Sequence, residues 1–182
     1  VENERQGHHF WTMTDLTHRW SAFDTRFGQL AASVDEAGRL VRFRFHANKH
    51  PPRGTEDNSA VAHVHKQVEE YCAGTRRDFD LECHIEEGSE FERGVWRVMT
   101  TIPYGETLSY GAVAKQLGRP DAARDVGSAA NGNPIVLVIP CHRVIGADGS
   151  LVGFGGGLPL KRALLDFESV IAGHPRDLFA GA

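Results

Sequence analysis

The segment Pro140-Cys141-His142-Arg143 sets a thiol beside an imidazole and a guanidinium. Cysteine attacks only as the thiolate, which neighbouring positive charge favours, so these side chains read as a centre for nucleophilic displacement. Pro140 fixes φ and has no N–H to donate, so it ends the apolar run Ile135–Ile139 and presents the thiol where a buried segment stops. That run is expected to be a strand or extended segment buried on both faces. The same residues fit a cysteine buried as a small apolar side chain, and chemistry alone leaves both readings open. With Glu168 as a third member, the set would also allow a Cys-His hydrolase, which would need turnover and an oxyanion hole.

The elements that position this centre divide near residue 88, and the pattern predicts an α+β fold. Residues 1–18 are expected to be a loose arm, 19–87 a small unit of β-meander plus helix, 88–173 a mostly helical unit, and 174–182 a tail. Arg19–Asp24, Gln29–Val34 and Arg39–Phe45 are β-favourable runs separated by turn residues, and 46–57 reads as a loop. Ser59 is placed to cap a helix with apolar positions Val61, Val64, Val68 and Tyr71, stopping at Gly74. Ser89 and Glu92 fit a capping box ahead of the stripe Phe91, Val95 and Val98 or Met99. Ser109 can cap a short helix carrying Val113 and Leu117, and a second short helix follows over Asp121–Ala130. Two short helices joined by a Gly-containing turn form a helix-turn-helix, which docks on DNA in some proteins and is plain packing in others. The second helix carries Ala122, Ala123, Gly127, Ser128, Ala129 and Ala130, and only Arg124 projects far. That surface suits either close approach to a narrow groove or tight packing on a neighbouring helix.

Composition bounds the partners. The 182 residues carry a formal charge of −4. From Phe91 to Glu168, eight Lys or Arg face seven Asp or Glu, so this half is +1 and the remainder −5. DNA binding by the second half is permitted without being demanded. No apolar run approaches the roughly 18 residues of a membrane span, and no signal pattern opens the chain, so a soluble, cytoplasmic or nucleoid-associated monomer is expected. Cys72, Cys83 and Cys141 form no disulfide framework, and with His8, His9 and His18 they make no recognisable metal set, so no metal is expected.

Pro140-Cys141-His142-Arg143-Val144 resembles the active-site sequence of the O6-methylguanine-DNA methyltransferase family. The likeness continues in order through Phe91-x-x-x-Val95-Trp96, Ile102-Pro103-x-Gly105-Glu106-Thr107, Ser109-Tyr110, Ala122-Ala123-Arg124, Gly132-Asn133-Pro134 and Gly156-Gly157-Leu158. Residues 21–80 resemble the family's N-terminal part loosely, through the hairpins and Tyr71-Cys72-Ala73-Gly74. The resemblance implies suicidal, stoichiometric transfer of an alkyl group from O6-alkylguanine in double-stranded DNA, with O4-alkylthymine as a further candidate, onto Cys141 without a cofactor. It implies minor-groove binding through Ser109, Tyr110, Ala122, Ala123 and Arg124, with Arg124 filling the space of a flipped nucleotide. It further implies that Tyr110 protonates guanine N3, that His142 acts as base toward Cys141 through a water, and that Glu168 orients His142. Asn133 would tie the thiol segment to the helix-turn-helix, and Val144, Ile145, Gly146, Phe154, Gly155 and Gly156 would line the pocket. Relatives that only bind lesions lack the cysteine that is present here. Phe154-Gly155 departs from the Tyr and larger residue of many members, which implies a wider alkyl side of the pocket.

Overall fold

Three short runs pair as a meander because each turn between them is closed by a side chain. The computed structural model describes residues 17–46 and 52–174; the expected arm and tail lie almost wholly outside these. Strands β1 (Arg19–Thr25), β2 (Gly28–Val34) and β3 (Leu40–Phe45) are antiparallel neighbours. Between β1 and β2 the Thr25 hydroxyl accepts from Phe27 N at 3.1 Å and donates to Gly28 O at 2.7 Å. Between β2 and β3, Asp35 Oδ1 accepts from Ala37 N and Arg39 N at 3.0 and 2.9 Å. A short β4 (Thr55–Glu56) adds parallel to β1, giving the order β3-β2-β1-β4, in a stretch expected to be all loop.

Helix α1 (Ala62–Cys72) lays Val64, Val68 and Tyr71 into the core. Ser59 is not its cap: its hydroxyl donates to Asp57 Oδ1, which also accepts from Ser59 N and Ala60 N at 2.9 and 3.1 Å. Asp57 therefore shapes the entry to α1, and the Ser59 hydroxyl, turned to it as a donor, caps no helix N–H.

The helical half follows its caps. Helix α2 (Glu90–Thr100) opens with the reciprocal Ser89–Glu92 capping box and buries Val95, Trp96 and Met99. Ser109 Oγ accepts from Ala112 N at 3.1 Å at the start of α3 (Tyr110–Gln116). Helix α4 (Ala123–Asn131) follows after the turn 117–122, and Trp96 Nε1 donates to Ala129 O at 2.8 Å to lock α2 onto it. The small residues of α4 serve two ends. Ala129 and Ala130 pack inward with Val126, while Ala123 and Gly127 stay half-exposed and Arg124 is exposed. Helix α5 (Leu158–Ile171) closes the described chain. One continuous core runs from Leu30, Phe43 and Tyr71 to Trp96, Val113, Ile135, Cys141 and Leu164.

The run Ile135–Ile139 is not the strand expected. Ile139 N donates to Ile135 O at 2.9 Å and Val138 N to Val136 O at 2.9 Å, so the chain doubles back on itself, with Leu137 at φ 68°. A β-favourable composition cannot impose extension when the flanks oppose it. Pro134 and Pro140 lack donors at both ends, and Asn133 Oδ1 takes Ile135 N at 3.0 Å. One edge of the turn docks on β3, where Phe43 N donates to Pro134 O and Val136 N to Phe43 O, both at 2.9 Å.

Candidate active site

Cys141, His142 and Arg143 form one 3-10 turn, and all three are buried. Successive residues of such a turn point about 120° apart, so neighbours in sequence face different surroundings. The thiol faces Asn133, whose Nδ2 lies 3.1 Å from Sγ and also donates to Ile139 O at 2.7 Å. Asn133 thus holds both ends of the apolar turn and touches the sulfur. His142 and Arg143 face away, toward Glu168.

This corrects one expectation. His142 and Arg143 were read as neighbours that favour thiolate, yet both turn their polar atoms to Glu168. Burial pushes the Cys141 thiol above its ordinary value, outweighing the Asn133 N–H and the charge of Lys161. The resting sulfur is therefore a protonated thiol, and reaction requires a base.

Glu168 is the hub on which His142 and Arg143 converge. Fully buried on α5, its Oε1 accepts from His142 Nε2 at 2.9 Å, Arg143 Nη2 at 3.0 Å and Tyr71 OH at 2.8 Å. Its Oε2 accepts from Arg143 Nε at 2.8 Å and Gly105 N at 3.2 Å. Burial alone would raise this carboxyl, but His142 and Arg143 outweigh it and hold it well below the usual carboxylate range. An ionised carboxylate can only accept, so the His142 Nε2 must carry the hydrogen, which leaves Nδ1 as an acceptor. Burial lowers the imidazole below its ordinary value despite the carboxylate, so it rests neutral. Gly105 permits the approach of the 104–106 turn: it has φ 77°, and a Cβ there would lie 2.6 Å from Ala172 Cβ.

Tyr110 begins α3, and its position follows from a short parallel pair between β5 (Leu108–Ser109) and β6 (Val144–Ile145). That pairing joins the start of α3 to the segment leaving the thiol. The Tyr110 hydroxyl donates to Val152 O at 2.8 Å and accepts from Lys161 Nζ at 3.2 Å. Lys161 also donates to Val152 O at 2.9 Å. Burial lowers the ammonium to about 8 against the opposing charge of Cys141, and burial followed by that same charge raises Tyr110. Lys161 was missed in the sequence. Its signal was available, since Lys161, Leu164, Leu165 and Glu168 share the buried face of α5 and two charges on an apolar stripe demand partners.

Beyond the thiol, Val144 is buried and Ile145 half-buried in β6, and Gly146 N donates to Ser150 O at 2.8 Å to close the next turn. Phe154 packs its ring 6.4 Å from that of Phe45, and His46 Nε2 lies 3.3 Å from Gly156 O, so the meander buttresses this wall. A Cβ on Gly156 would meet Leu160 Cδ2 at 2.6 Å, whereas one on Gly155 would have room. Ser109 is taken up as a cap and Ala122 is buried in the core, so of the small residues expected at the DNA only half-exposed Ala123 stands beside exposed Arg124 at the start of α4. Among the described residues no group of His, Cys, Asp or Glu could hold a metal ion, and no helix is long and apolar enough to cross a membrane.

Residues 90–170 match the family model described as "6-O-methylguanine DNA methyltransferase, DNA binding domain". A methylated-DNA–protein-cysteine methyltransferase of Methanosarcina acetivorans is 40% identical over 152 residues, covering 82% of this chain and 97% of that protein. One from Mycolicibacterium paratuberculosis is 54% identical over 114 residues, 63% of this chain and 68% of its own. The crystal structure of Mycobacterium tuberculosis OGT in complex with DNA superposes with a TM-score of 0.79 at 40% identity, covering 84% of this chain and 94% of that one.

Proposed function

This chain belongs to the O6-methylguanine-DNA methyltransferase family, and from that premise we propose that it repairs DNA by moving an alkyl group from O6-alkylguanine onto its own Cys141. The observation that carries the reading is the joint arrival of buried Cys141, Asn133, His142, Glu168 and Lys161 and half-buried Tyr110 in one site. Residues 88–173 form the part that holds DNA and chemistry, with α3 and α4 as its helix-turn-helix.

The reaction is a displacement at carbon. His142 accepts the Cys141 proton through a water, and Glu168 stabilises the imidazolium that results. The sulfur then bonds to the alkyl carbon as the bond from carbon to guanine O6 breaks. Guanine is a poor leaving group as an anion, so Tyr110 gives N3 a proton and the base departs neutral. Guanine N3 would take over the hydrogen bond that Tyr110 makes to Val152 O. Lys161 stabilises the phenolate left behind, at 3.2 Å. No cofactor enters these steps.

DNA is held through the minor groove, with α4 presenting Ala123, Gly127 and Arg124 to a duplex whose damaged nucleotide is rotated out. Val144, Ile145, Gly146 and the wall Phe154-Gly155-Gly156 receive the base, and the room beside Gly155 favours bulkier alkyl groups as well as methyl. The protein works as a monomer in the cytoplasm or on the nucleoid.

Because the product thioether has no route back to thiol, each molecule is consumed once. With a duplex carrying labelled O6-methylguanine, transfer should stop at an amplitude equal to the protein present. Continued release of product beyond that amplitude would instead favour a Cys-His hydrolase.

A further inference from the structure

Tyr71 lies far from the cysteine motif in sequence, on α1, yet its hydroxyl donates at 2.8 Å to Glu168 Oε1, the same oxygen that holds His142. From this shared oxygen we infer that Tyr71 is a positioning residue for the transfer reaction: it sets the orientation and basicity of His142 by drawing on the carboxylate that supports it. The inference rests on the proposed role of His142 as the base toward Cys141.

Three observations support it. The ring is held from every side, by Phe27, Phe79, Tyr104 and Phe167 with centroids 5.5 to 6.2 Å away, so the hydroxyl has one place to go. Burial, then the Glu168 charge, raises the phenol well above its ordinary value, so it keeps its hydrogen and donates it to the carboxylate. Finally, Oε1 already takes donors from His142 and Arg143. A third donor on that oxygen withdraws electron density which would otherwise stabilise a charged imidazole.

The direction of the effect follows from the groups that face the pair. Glu168 raises His142, whereas burial, Arg143 and Lys161 lower it. Tyr71 comes from α1, Tyr104 and Gly105 N from the turn before α3, Arg143 from the thiol turn, and Lys161 from α5. Removing the Tyr71 hydroxyl leaves Glu168 more basic, and the imidazolium becomes easier to form. His142 then protonates at higher pH, and transfer that needs the neutral imidazole is lost earlier as pH falls.

The test is the pH dependence of the methyl-transfer rate for the full chain on an O6-methylguanine duplex. Tyr71→Phe keeps the ring and should move the midpoint of the acid limb up by about half a unit to one unit, the part of one hydrogen bond to a charged carboxylate that is passed on to His142. Installing 3-fluorotyrosine at position 71 makes the phenol a stronger donor and should move the midpoint down. Val68→Ala, which trims another fully buried residue of α1, should melt lower with an unchanged midpoint. Superimposable profiles for wild type and both Tyr71 variants would overturn the inference, as would an equal shift in Val68→Ala. Absence of transfer by the wild-type chain would instead strike the proposed function.

Discussion

Glu168→Ala is expected to destabilise the fold by about 3–5 kcal/mol, the cost of leaving a buried charge without its partner. The guanidinium of Arg143 would keep only Ile102 O, at 2.7 Å, after losing both bonds to the carboxylate. Tyr71 OH, His142 Nε2 and Gly105 N would be left without their acceptor in the same dry site. Urea unfolding measures the loss, and Glu168→Gln, which keeps a carbonyl acceptor, should lose less. A loss under 1 kcal/mol for alanine would mean that water replaces the carboxylate and that the site is wetter than its burial implies.

The same hub gives stability an acid limb. The Glu168 carboxyl is lowered in the folded protein, so its contribution is complete above the ordinary value of 4.5 and fades as pH drops through the folded value. His142 is lowered too, and unfolding lets it take up a proton, so its contribution is complete above 6.5 and fades below. Both groups act in one direction, and the wild-type chain should weaken on acidification from neutral pH. Glu168→Ala should have a shallower slope below 4.5, keeping the share of Asp35, Asp57, Glu92 and Asp148, whose carboxyls are lowered too.

If Arg124 fills the place of a flipped nucleotide as proposed, Arg124→Ala is expected to lose about 100-fold in transfer rate on duplex DNA, since flipping costs a few kcal/mol that its exposed guanidinium would offset. Reaction with free O6-benzylguanine should be nearly unchanged, because no stack has to be opened. Tyr110→Phe should behave differently and slow both substrates, as the proposed proton transfer from its hydroxyl is needed by each. Single-turnover kinetics on the two substrates separate the roles. Equal loss on the free base by Arg124→Ala would show that Arg124 supports the fold or the pocket and does not replace a flipped nucleotide.

What was legible in the sequence was whatever depends on near neighbours. The meander, the Ser89–Glu92 box and the Ser109 cap are set by residues within a few positions of one another, and all three are present. The apolar run Ile135–Ile139 was misread because its conformation depends on Asn133, whose amide reaches both ends of the turn. The motif around Cys141 located the reactive turn but misstated its electrostatics. Adjacency to His142 and Arg143 suggested a charged thiol, whereas the 3-10 turn sends those side chains to Glu168 and leaves the sulfur to Asn133 and Lys161. Tyr71 was legible only as an apolar-stripe position of α1; its hydroxyl bond joins residues 97 apart, and no local pattern carries that contact.

The most direct measurement is the mass of peptides from protein incubated with a duplex containing O6-methylguanine. Three free cysteines are present, Cys72 half-buried, Cys83 exposed and Cys141 buried, so accessibility alone does not single out Cys141. The account predicts a gain of one methyl on the peptide containing Cys141 alone, in an amount equal to the lesion repaired. A methyl on Cys72 or Cys83, or loss of the lesion with no mass gained by the protein, would contradict it.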